Sequence, residues 1–271
     1  MRFKLVKQNL YKVGEDVFGY YTDNNGFLYN RTYKYWYRSI NNVIQFLGLS
    51  KYSGGEHDIG FCCTPYAVPI GTSVIEEKRG KIPVLFEDGD TSIILAQMEK
   101  MGMYSSPYLN AIRFALRYSH DPGIDLIKEE MRNQFDTVTK PALENAVDSL
   151  GCYELCIRLK EIALKYMRMN ADSANDPATK AYKKAHIEFT ALSATLIEIY
   201  SLLDMQNYAL ATERLKEDEW ARNKVGATLW PFRKLKVLVD RNDTEEIQRL
   251  LKMNETRTKE MLKEHGFKLD Q

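Results

Sequence analysis

Ile124, Ile127, Met131, Phe135 and Val138 recur at spacings of three and four residues, the interval that places side chains on one face of an α-helix. Such a face must be buried against other elements, so the segment demands partners rather than an isolated helix. The spacing returns at Leu155, Leu159, Ile162 and Tyr166, after a break expected at Gly151. Asp176-Pro177 sets a helix start, because proline in the first turn loses nothing by lacking an N–H, and the helix is expected to run through Leu203. Leu192, Leu196, Ile199 and Leu203 give it a face broad enough to be central in a bundle. Asp243 with Glu246 three residues on predicts a final capped helix, stopped by Gly266.

The first hundred residues follow another pattern. Phe3, Leu5 and Val6 predict a strand, and residues 17–29 a hairpin through Asp23-Asn24-Asn25-Gly26, since Asn and Gly accept the positive φ of tight turns. Ser39 to Leu49 reads as a helix ending near Gly48. Ser53-Gly54-Gly55 and Arg79-Gly80-Lys81 read as turns bracketing short apolar runs at 59–63 and 73–75. The predicted fold class is therefore α+β: a mixed strand and helix domain over residues 1–104, then a mainly α-helical bundle over residues 105–271.

No apolar run reaches the ~18 residues of a membrane span, so no membrane partner is expected. No continuous apolar core follows the early positive charge, so no signal peptide is expected either. Four cysteines are too few for a disulfide framework in a chain of 271 residues, and a reduced, cytoplasmic setting is the expectation. The net charge of +1 gives no global attraction to a polyanion. The charge is unevenly spread, however. Residues 1–50 hold seven basic residues against three acidic ones, and 12 of the 31 Phe, Trp and Tyr.

Both features peak between Tyr29 and Arg38. Aromatic faces stack on nucleic-acid bases, at ~1–3 kcal/mol per base, and cations follow the phosphates. Arg31, Tyr33, Lys34, Tyr35, Trp36 and Arg38 are therefore candidate nucleic-acid-binding residues. In an extended segment Arg31, Tyr33, Tyr35 and Tyr37 share one side, and Thr32, Lys34, Trp36 and Arg38 the other. The competing reading makes these aromatics packing residues with charged tips in solvent. A second basic stretch, 222–241, offers Arg233 and Lys234 beyond the helix-interrupting Trp230-Pro231.

Asp58, Glu76 and Lys78 form a third signal. Two carboxylates on adjacent strands can hold Mg²⁺ or Mn²⁺ through oxygen, and a lysine two residues after one of them can stabilise charge at an attacking water or a phosphate. In these residues, with Gln97 as a polar helper, the chain resembles nucleases of the PD-(D/E)xK type over about residues 54–102. The resemblance implies Asp58 and Glu76 as metal ligands and Lys78 as the third catalytic group. Pro65 and Pro69 are expected to break the strands such a core needs. Without that site no cofactor is implied. The four histidines are scattered, Cys152 and Cys156 supply at most two corners of a metal site, and neither a phosphate-binding glycine loop nor a serine elbow is present. The leading expectation is a non-enzymatic intracellular binding or assembly protein with nucleic acid as its partner. Self-association through the helical half belongs to that expectation, and the alternatives are a divalent-metal nuclease and a helical protein–protein assembly module whose N-terminal aromatics contact a protein.

Overall fold

The computed structural model describes residues 9–53, 59–72, 114–118, 123–158, 161, 197–217 and 237–269. Helix α1, Leu10–Asn24, leads into strands β1, Leu28–Asn30, β2, Tyr35–Ile40, β3, Val43–Ser53, β4, Ile59–Pro69, and β5, Phe114–Tyr118. These strands form one antiparallel sheet in the order β1-β2-β3-β4-β5. Helix α2, Ile124–Gln134, runs through a π-turn at Phe135–Thr139 into α3, Lys140–Asn145. Helical segments follow at 149–158 (α4) and 197–204 (α5), then α6, Tyr208–Glu217, and α7, Thr244–Glu264. The fold is α+β.

Register decides what each sheet face meets. Trp36 pairs with Leu47 and Arg38 with Gln45, so these four point one way while Tyr37, Ile44 and Phe46 point the other. The first face, with Leu49, Phe61 and Cys63, packs on Val13, Val17, Phe18 and Tyr21 of α1 and on Ile127, Met131 and Phe135. The second face, with Val68 and Ile70, packs on α5, α6 and α7 through Ile199, Leu203, Leu215, Ile247 and Leu262. The sheet thus lies between two helical layers. Residues from either side of position 104 share both clusters, and β5 joins the sheet from beyond it.

Two local readings are corrected. Residues 17–24 are helical rather than one arm of a hairpin. Asn9 caps α1 by accepting the Tyr11 N–H at 3.0 Å, and the turn chemistry at 23–26 serves as a helix stop, with Gly26 at φ +68°. Residues 39–49 are the β2–β3 hairpin rather than a helix. Ile40 pairs with Val43 across a two-residue turn whose Asn41 and Asn42 both have positive φ, 44° and 65°. Pro65 and Pro69 sit within β4, opposite Leu47 and Val43 of β3, and among the described residues the β4–β5 pairing reaches no further than Cys63. Proline is tolerated in a strand where the neighbouring ladder stops.

Other expectations hold. Ile127, Met131 and Phe135 are wholly buried on one helical face, and the wider π-turn then brings Thr139 rather than Val138 into the core. Ile199 and Leu203 are wholly buried, and Glu198 among them pairs with Arg214 at 3.0 Å, tying α5 to α6. Asp243 accepts the Glu246 N–H at 3.1 Å, and Gly266 follows α7 at φ +79°. The chain is helical through Gly151; the break lies at 146–148, and Asp148 caps α4 by accepting the Gly151 N–H at 2.8 Å. The expected strand at Phe3, the turns and runs at 54–55 and 73–81, the Asp176-Pro177 helix start, and Leu192 and Leu196 lie outside the described residues. Among the described residues no helix is long and apolar enough to cross a membrane.

Candidate nucleic-acid interface

The segment 29–38 divides between core and surface, and its turn does the dividing. Asn30, at the end of β1, is buried, and its Oδ1 accepts the N–H groups of Thr32 and Tyr33 at 3.0 and 3.1 Å. The Lys34 N–H donates back to the Asn30 carbonyl at 2.8 Å, with Lys34 in the left-handed region at φ 62°. This closed turn leaves Arg31 and Lys34 exposed and Tyr33 half-buried.

Tertiary contacts then seat the turn on the C-terminal end of α7. Asn30 Nδ2 donates to the His265 carbonyl at 3.2 Å, and the Tyr33 hydroxyl meets His265 Nδ1 at 2.8 Å. The Tyr33 ring stacks on Phe267, whose edge meets Tyr37 at a centroid distance of 4.7 Å. The Lys268 N–H donates to the Tyr37 hydroxyl at 2.8 Å. Arg31 and Lys34 flank Tyr33 in the chain, Lys263 and Lys268 flank His265, and all four are exposed. Among the described residues, none of the four has a carboxylate within 4.0 Å. Earlier in α7 the pattern differs: Glu246 pairs with Arg249 at 2.6 Å, and Glu255 with Lys252 and Lys259 at 2.8 and 2.7 Å. Sequence reasoning missed Lys263, His265 and Lys268, which lie some 230 positions from the turn and carry no local signal.

Trp36 is 4% exposed. Its ring lies parallel to Tyr11 at 5.7 Å, against Tyr29 at 4.5 Å, and meets the edge of Phe18 at 4.8 Å. Gly14 of α1 faces it so closely that a Cβ there would overlap the indole. A base has no face of Trp36 to stack on without opening this cluster, so its position corrects the stacking role assigned from sequence. Tyr35 is half-buried, its ring over Gly48 and edge-on to Phe46.

Arg38 is corrected in the same way. It is 8% exposed, and its guanidinium is held by neutral acceptors. Nε donates to Gln45 Oε1 at 2.8 Å, Nη1 to the Asn25 carbonyl at 3.0 Å, and the guanidinium carbon lies 4.7 Å from the Phe27 ring centroid. Gln45, wholly buried, passes the interaction on: its Nε2 donates to the carbonyls of Leu143 and Ala146, each at 2.7 Å. Asn25 caps the C-terminus of α1, and Leu143 and Ala146 end α3. Arg38 is thus balanced by the negative ends of two helices, one directly and one through Gln45. Burial holds its ionisation below the usual arginine range, opposed by Tyr21 and Glu144.

Asp58, Glu76, Lys78, Gln97, Arg233 and Lys234 lie outside the described residues. Among the described residues no group of three or more His, Cys, Asp or Glu side chains is arranged to hold a metal ion. Cys152 and Cys156 are buried in α4, and burial pushes the Cys152 thiol well up, which keeps it protonated. Comparisons with protein-family models, with curated proteins and with solved structures find no match to this chain.

Proposed function

We propose that the protein binds nucleic acid without acting on it catalytically, and that it does so through the sugar–phosphate backbone, using the β1–β2 turn and the end of α7. One observation carries this reading: the Tyr33–His265 hydrogen bond joins two short segments that bear the exposed cations Arg31 and Lys34, and Lys263 and Lys268, with no carboxylate ion-paired to them among the described residues. Cations presented to solvent by a rigid turn and a helix end suit phosphates. The buried indole of Trp36 argues for backbone contact over base stacking, hence little sequence preference.

Four cations that each meet one phosphate give log Kd a slope against log salt of about 3.6 on duplex and about 2.8 on single strands. Fluorescence anisotropy with labelled single- and double-stranded oligonucleotides, across a salt series, measures it. Replacing Arg31, Lys34, Lys263 and Lys268 together by Ala is expected to abolish most of the slope, and Arg31 with Lys34 alone about half. Absence of binding at ~100 µM protein in low salt, beyond the usual non-specific range, or an unchanged slope in the fourfold variant, overturns the proposal.

A further inference from the structure

His265 is half-buried, lies between Lys263 and Lys268 in the chain, and has its Nδ1 2.8 Å from the hydroxyl of Tyr33, which lies between Arg31 and Lys34. A phenol is a good donor and an unprotonated imidazole nitrogen a good acceptor, so the neutral pair has Tyr33 donating to Nδ1 and the ring proton on Nε2. A proton added to the ring goes to Nδ1 and forces the bond to reverse. Nδ1–H then donates, the Tyr33 oxygen accepts, and the phenolic hydrogen must turn to an acceptor outside the pair.

From this geometry we infer that His265 and Tyr33 form a proton-operated switch on the proposed nucleic-acid face, an inference that rests on the binding reading above. One proton makes two changes there: it adds a fifth cation to Arg31, Lys34, Lys263 and Lys268, and it frees a phenolic donor for a phosphate oxygen. From the turn, Tyr33 meets the His265 ring and Asn30 its carbonyl, with Arg31 and Lys34 next to them in the chain, and from β2 the Tyr37 hydroxyl accepts the Lys268 N–H. Among the described residues 261–269 of its own segment, Lys263 and Lys268 are the cations and Glu264 is the one carboxylate. By linkage, phosphate binding and proton uptake at this histidine strengthen each other.

The test compares oligonucleotide affinity at pH 8 and pH 5.5 across a salt series, for wild type, His265→Gln and Tyr33→Phe. Their melting temperatures at both pH values establish that each is folded. Wild type is expected to bind about fivefold or more tightly at pH 5.5, with the salt slope steeper by about 0.7–0.9. His265→Gln is expected to lose that response despite the other histidines. Tyr33→Phe, which keeps the ring on Phe267, should retain the steeper slope but lose part of the gain in affinity. Salt-dependent binding indifferent to pH, or a response that survives in His265→Gln, overturns the switch while leaving the binding reading in place. No binding at either pH overturns both.

Discussion

Removing Gln45 is expected to damage the fold more than removing the charge it serves. Gln45→Leu keeps the volume but deletes three hydrogen bonds, at 2.7, 2.7 and 2.8 Å. The Leu143 and Ala146 carbonyls are left against aliphatic carbon, and a buried guanidinium loses its Nε acceptor. An unmet buried neutral group costs ~1–3 kcal/mol and a charged one more, so a total of about 3–5 kcal/mol is expected. Arg38→Met strips donors from Gln45 and from the Asn25 carbonyl, but it also removes the desolvation cost of burying a cation, and about 1–3 kcal/mol is expected. In the double variant no charge is stranded, so its cost should fall short of the sum by about 1 kcal/mol or more. Urea unfolding followed by circular dichroism, with a common m-value, measures all three. The account of Arg38 as a structural cation held by helix ends fails if Gln45→Leu costs under 1 kcal/mol. It fails equally if Arg38→Met is the more damaging change, or if the two effects simply add.

Gly14→Ala sets two effects against each other. Alanine gains ~1 kcal/mol of helix propensity, but its Cβ would overlap the Trp36 ring and come within 2.9 Å of Phe18, and overpacking costs ~1–3 kcal/mol. A net loss of melting temperature is expected, and a stabilised variant would mean that Trp36 is not packed on α1. At Glu255, burial pushes the carboxyl up, but hydrogen bonds from Lys252 and Lys259 outweigh it and hold the group below its ordinary range. A depressed folded-state value stabilises above the unfolded value of ~4.3 and loses that contribution as pH falls through the folded one. Glu255→Gln should therefore be less stable than wild type at pH 7 and converge with it near pH 3, by thermal unfolding at both pH values; a gap that persists at pH 3 would show the ion pairs to be incidental.

The helices legible in sequence were those with one buried face. Ile127, Met131 and Phe135 announce α2 because the opposite face is charged, and Asp243 and Gly266 mark the two ends of α7 by chemistry that belongs to helix ends. Strand β3 was illegible for the opposite reason. Val43, Ile44, Gln45, Phe46 and Leu47 are all wholly buried, since helices cover both faces of the sheet, and that erases the alternation by which a strand is recognised. The remaining signal was Asn41-Asn42, a dipeptide suited to a two-residue hairpin. Helix α1 was obscured by Asp23-Asn24-Asn25-Gly26, because a residue with positive φ after tolerant neighbours ends a helix as readily as it turns a hairpin.

The proposed binding surface was half legible, and the missing half explains the error in the other. An alternating aromatic and basic segment shows which residues share a side, and Trp36 with Arg38 was assigned correctly to one side. It does not show which side meets the core. That is set by pairing: Trp36 opposite Leu47 and Arg38 opposite Gln45 commit both to the layer beneath α1, and the alternate residues Tyr35 and Tyr37 to the layer beneath α7. A slip of one residue would exchange the two sets. What escapes this constraint is the turn, where Asn30 ties its own backbone and leaves Arg31 and Lys34 outside the sheet's alternation altogether. Exposed cations are therefore found where regular pairing stops, and the helix end that meets this turn is specified by the Tyr33–His265 and Tyr37–Lys268 hydrogen bonds rather than by any local pattern.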